Sequence, residues 1–121
     1  MAASTKSGTS KNGTSPKGNL PKVNCPPFPR SVWSALGPVA VVVVEGLKDD
    51  KGQELFGCWD PSSREIRIRA GIHPTTALTT AVHEWLHCVM YDAGLNLPDA
   101  IEEQVCDCLA TGIVADMMSH E

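Results

Sequence analysis

Residues 83–87 read His-Glu-Trp-Leu-His, inside a stretch, HPTTALTTAVHEWLHCVMYDAG (73–94), that is patterned as a helix throughout. Pro74 suits a first helical position and Gly94 a stop after Asp92 and Ala93, so the pentapeptide falls within a helix of about five turns. On a helix, positions i and i+4 lie about 40° apart, which lets His83 and His87 aim their imidazoles at one point. Glu84 sits about 100° round from His83, placed to reach a water beside a metal rather than the metal itself. With four histidines and seven glutamates in 121 residues, chance supplies only roughly 0.007 such matches. The pattern predicts a zinc site, with imidazole nitrogens about 2.0–2.1 Å from the ion and Glu84 as general base.

A catalytic zinc takes three protein ligands. The rich source nearby is a second predicted helix, beginning near Pro98 and Asp99 and running through Met117, with proline and acids in its first turn. There Glu103 and Asp107 lie four apart, and Ala110, Val114 and Met118 extend the same stripe. If that face meets the first helix, Glu103 is the third ligand and Asp107 holds a ligand histidine from behind, fixing its tautomer. A second, apolar arc of Ile101, Val105, Cys106, Cys108, Leu109 and Ile113 centres near Glu102, which stays open as the alternative third ligand. With Glu103 as ligand, Glu102 is expected to matter little to the metal. Tyr91, four after His87, either serves the substrate oxyanion or packs against the second helix. His73 reads as a helix-entry residue and His120 as a tail residue.

HEWLH followed on the next helix by EQVCDCLA, an H-E-x-x-H and then an E-x-x-x-D, resembles the gluzincin clan of zinc metallopeptidases, the broad group that includes thermolysin. Minimal phage- or prophage-encoded proteins with HExLH helices look similar. The match covers roughly residues 64–114. The resemblance implies zinc held by His83, His87 and Glu103, Glu84 as base and proton shuttle, and Asp107 behind a histidine. It also implies a substrate strand lying antiparallel along the sheet edge above the first helix. The outer helical domain that walls the cleft of full-length gluzincins has no counterpart in the matched region.

Upstream, GPVAVVVVEGL (37–47) is a β-branched run bounded by glycine and proline, which predicts a central strand covered on both faces. The segments QELFGCW (53–59) and REIRIRA (64–70) flank the turn DPSS and predict a β-hairpin. In its second arm Ile66 and Ile68 face one way and Arg67 and Arg69 the other, the pattern of a strand with one solvated face. Such a strand is expected at a sheet edge, free to pair with a substrate backbone. Strand, hairpin, helix, helix makes an α+β domain over residues 31–121: a small, mainly antiparallel three-stranded sheet backed by two helices, a minimal zincin-like unit.

Residues 1–30 are rich in Ser, Thr, Gly, Lys, Asn and Pro, with too little apolar surface to offset their ordering entropy, and are expected to be a disordered basic leader. Residues 1–44 carry five cations and no acid, which leaves −9 for residues 45–121 in a chain of net charge −4. An acidic body argues against nucleic-acid binding. The leader lacks the apolar core of a signal peptide and no run nears the roughly 18 residues of a membrane span, so a soluble cytoplasmic protein is expected. Cys25, Cys58, Cys88, Cys106 and Cys108 are odd in number and form no C-x-x-C pair, which predicts small buried hydrophobes rather than disulfides or a zinc ribbon.

The function these features predict is zinc-dependent hydrolysis by a small metallopeptidase, cleaving an extended segment of a protein or peptide with a zinc-activated water. The alternative is a catalytically weak or inactive module that zinc stabilises for binding or regulation. A third reading is an interaction protein that docks through its basic leader, with zinc as a folding device.

Overall fold

A computed structural model describes residues 2–3 and 28–120, so nearly all of the expected leader lies outside the described residues. The elements in chain order are β1 (Ala2–Ala3), β2 (Ser31–Ser34), β3 (Gly37–Val44), β4 (Gly57–Asp60), β5 (Glu65–Arg69), α1 (Pro74–Ala93) and α2 (Asp99–Ser119). Strands β2 to β5 form a mixed sheet, to which β1 adds two residues, in the order β1-β4-β5-β3-β2.

The α+β class stands, but the three-stranded, mainly antiparallel sheet is corrected. Residues 31–34 pair antiparallel with β3 as an additional strand, and β3 and β5 run parallel, with Val41 opposite Ile66 and Val43 opposite Ile68. The chain leaves β3, lays down β4 one place too far away, and returns through the antiparallel β4–β5 turn to fill the gap. That return makes β5 point the same way as β3. It also puts β5 in the interior of the sheet, so the expectation of an edge strand at residues 64–70 is overturned. Period-two alternation reports which face of a strand is wet, not where the strand sits in its sheet. Arg67 lies on the open face and bonds Glu65 at 2.7 Å and Asp60 at 2.9 Å. The expectation that β3 is covered on both faces also fails: Val39 and Val41 are buried on one face, whereas Ala40 on the other is exposed and Val42 and Val44 are only half-buried.

Both helices lie on one side of the sheet. Helix α1 covers it through Ala77, Ala81 and Cys88, which pack with Val39, Val41, Trp59, Ile66 and Ile68. Its start is local chemistry: Pro74 needs no amide partner, and His73 Nδ1 accepts the Thr75 amide at 3.1 Å. Its end is Gly94 in the left-handed region at φ 74°, where its N–H returns to the carbonyls of the last turn. Arg64, in the β4–β5 turn, fixes that end by a bidentate pair to Asp92, 2.9 Å at each oxygen, and the Leu36 amide adds a bond to the same carboxylate. The guanidinium holds the fully buried Asp92 carboxyl far below the usual range. The histidines of α1 are thus carried on a rod pinned at both ends.

Helix α2 packs on α1 through Cys106 and Ala110 against Leu86 and Met90. The apolar arc read around Glu102 turns out to face mostly outward: Ile101, Cys108, Leu109 and Ile113 are exposed, and the buried stripe is Cys106, Ala110 and Val114. Cys58, Cys88 and Cys106 are buried and Cys108 is exposed, all as free thiols, while Cys25 lies outside the described residues. No helix among the described residues is long and apolar enough to cross a membrane.

Candidate metal centre

One turn apart on the inner face of α1, His83 and His87 are buried with only 2% and 4% of their surface exposed. Their Nε2 atoms stand 3.2 Å from each other. Glu103 of α2 closes the triangle, with one oxygen 3.0 Å from His87 Nε2 and the other 3.2 Å from His83 Nε2. Two ligands at 2.0–2.1 Å on a tetrahedral ion are separated by about 3.3 Å. The observed edges come within a few tenths of an ångström of that figure, so His83, His87 and Glu103 form a cluster that can hold a metal ion.

Behind the triangle each histidine has its own carboxylate. His83 Nδ1 lies 2.9 Å from Asp107 Oδ1, and His87 Nδ1 lies 2.5 Å from Glu102 Oε2. A ring that donates its Nδ1–H to a carboxylate turns the lone pair of Nε2 forward, which is the tautomer a metal requires. The structure thus brings His83, His87, Glu103 and Asp107 together, with Glu102, the alternative third ligand, behind His87. Glu102, expected to matter little to the metal, lies against a ligand histidine: the neighbours Glu102 and Glu103 straddle the helix interface, one behind His87 and one in front. Two adjacent acids opposite two histidines one turn apart were the available signal.

Burial works against a charged His87, but hydrogen bonds with Cys106, Glu103 and Glu102 and the nearby charge of Glu84 outweigh it and push the imidazole up to about 11. Burial likewise works to raise Glu103, yet hydrogen bonds from His83 and His87, with their charge, hold its carboxyl down at about 2. The metal-free centre is therefore protonated on His87 at neutral pH, and an incoming metal has to displace that proton. Metal affinity is expected to rise with pH below that value, by about tenfold per unit for the one proton released. Calorimetric titration in buffers of different ionisation enthalpy counts the proton. An affinity flat between about pH 6 and 8 would show that His87 is already neutral there.

Glu84 follows His83 into the interior and is fully buried. It lies against β4 at Gly57, which sequence reading passed over, although a lone glycine in a strand is a known sign of close backbone approach. A Cβ on Gly57 would stand 2.5 Å from the Thr80 methyl, 2.9 Å from the Arg67 carbonyl oxygen and 3.4 Å from Glu84 Cγ. The missing side chain is what lets the strand lie against the helix at the height of Glu84. Gly57→Ala is expected to cost about 1–3 kcal/mol, because backbone as well as side chain must shift. Urea unfolding measures it, and an unchanged midpoint would mean that β4 can retreat from α1 freely.

The remaining candidates lie elsewhere. Tyr91 is 56% exposed and meets Trp59 of β4 edge-on at 6.1 Å between ring centres. His73 caps α1, and His120 pairs with Asp116 on the surface at the end of α2. Beside His83 a pocket of about 260 Å³ opens between the first turns of α1, Phe56 and Asp107. Compared with protein-family models, with curated proteins and with solved structures, the chain matches none.

Proposed function

We propose that this protein is a small gluzincin-like zinc peptidase that hydrolyses extended peptide segments. The observation that carries the reading is the convergence of His83, His87 and Glu103 at metal-ligand spacing, with Glu84 on the same turn of the same helix. Two imidazoles and one carboxylate leave a position open on a four-coordinate ion, the donor set of a hydrolytic rather than a structural zinc site. Zinc bound there supplies Lewis-acid chemistry, polarising a carbonyl and lowering the pKa of water to about 7. Glu102 and Asp107 hold the two rings in the binding tautomer. Glu84 takes a proton from the attacking water and passes it to the departing amine nitrogen, so one carboxylate serves both halves of the reaction.

The substrate backbone is assigned to the outer edge of β4 in place of β5. β4 is the strand that lies against α1 at Glu84, and its outer edge already accepts an antiparallel segment, Ala2 and Ala3 opposite Trp59 and Cys58. An incoming peptide can use the next stretch of the same edge, at Gly57.

The test is cleavage of a mixed peptide library by protein reconstituted with one equivalent of zinc, read by mass spectrometry. Turnover is expected to disappear with chelator and return with zinc. Stoichiometric zinc without cleavage of any peptide would instead favour a zinc-stabilised binding module.

A further inference from the structure

The pocket beside His83 carries information about the substrate, and the inference drawn from it rests on the peptidase reading. Its walls are Phe56 and the threonines of the first two turns of α1, and they are mostly carbon. The reason is visible at Thr79, whose hydroxyl is turned back to the Thr75 carbonyl at 2.9 Å, leaving its methyl to the pocket. Thr75 likewise directs its hydroxyl toward Met118 Sδ, 4.0 Å away. The one carboxylate among the described residues of the lining is Asp107. Its Oδ1 is engaged by His83 Nδ1, and its side chain is 66% exposed, with no partner for Oδ2 among the described residues.

A pocket with hydrocarbon walls and a carboxylate at its rim suits a side chain with a long apolar stem and a cationic tip. Among the described residues no lysine or arginine lines it, and residues 45–121 carry −9, so the surrounding field favours cationic peptides and disfavours acidic ones. We propose that the pocket selects a lysine or arginine side chain next to the scissile bond, with its stem along Phe56 and the threonine methyls and its cation at Asp107 Oδ2. Asp107 then does two things at once: one oxygen orients His83 and the other reads the substrate.

Three peptides of one sequence, differing only in a central lysine, norleucine or glutamate, test this. Binding is measured by fluorescence anisotropy on the zinc-loaded Glu84→Gln variant, and cleavage is measured on the zinc-loaded wild type. Norleucine keeps the stem and removes the charge, so the lysine-to-norleucine ratio isolates the cation. Lysine is expected to bind about fivefold better than norleucine, the scale of an exposed ion pair, with glutamate weakest and the spread shrinking in high salt. The lysine advantage should vanish in Asp107→Asn, read as a ratio within that variant because its zinc affinity also changes. Thr76→Lys, which adds a cation to the wall, should reverse the order in favour of glutamate.

Norleucine binding as well as lysine, or a lysine advantage that survives Asp107→Asn, would overturn the assignment. Cleavage without any lysine preference sinks the pocket proposal and leaves the peptidase reading standing. Lysine-selective binding without cleavage keeps the pocket's cation selectivity but removes the peptidase reading on which its place beside a scissile bond rests, and binding of none of the three peptides overturns the pocket proposal.

Discussion

Glu103→Ala is expected to weaken zinc binding more than any other single carboxylate change in the cluster, Glu102→Ala to come next, and Asp107→Ala to do least. Glu103 faces both Nε2 atoms, at 3.0 and 3.2 Å, so its loss removes a ligand and leaves two nitrogens to hold the ion alone. Glu102 and Asp107 act through the rings, and loss of such a partner typically costs about 10–100-fold in affinity. Exposure separates these two. The Glu102 side chain is 20% exposed at 2.5 Å from its histidine, whereas that of Asp107 is 66% exposed at 2.9 Å. Water can take over the Nδ1–H of His83 far more readily than that of His87, so the upper part of the range belongs to Glu102 and the lower to Asp107. Competition against a chromophoric chelator gives the three affinities. If Glu102→Ala proved the most damaging, Glu102 would be the ligand and α2 would be turned by about 100° from its place in this structure.

What could be read from the chain divides along the range of the forces involved. Helix ends are set by neighbours in sequence: Pro74 and Gly94 frame α1, and Pro98 precedes Asp99 at the start of α2, so both helices are legible to within two residues. The histidine pair is legible for the same reason, because its geometry belongs to one helix. Sheet topology is different. The alternation in residues 65–69 is the same whether that strand is at an edge or between β3 and β4, and the parallel partner is more than twenty residues away along the chain. Rotation of α2 is intermediate. Its apolar residues cover two faces, and since α1 is its one helical neighbour among the described residues, Ile101, Leu109 and Ile113 are left outside while Glu102 and Glu103 both turn in. A sequence arc cannot show which of two apolar faces finds a partner.

Glu84→Gln should separate holding a metal from using it. The amide has nearly the volume of the carboxylate, so the close fit of Gly57 and Thr80 against this turn of α1 is kept. Removing a charge from a fully buried position does not threaten the fold, because burial penalises the charged form more than the neutral one. Glu102, Glu103 and Asp107, the carboxylates that meet His83 and His87, are left in place, and zinc should remain at one per chain. The change removes the group that accepts a proton from water and returns it to the leaving nitrogen. General-base catalysis contributes about 10²–10⁴-fold, and kcat is expected to fall by that factor. KM should stay close to its wild-type value, since the lost interaction is made in the transition state and not in the bound substrate. A variant that still turned over would move the base to another residue. One that lost zinc together with activity would make Glu84 a structural support of the centre, and the buried carboxylate beside Gly57 would then need an explanation in packing alone.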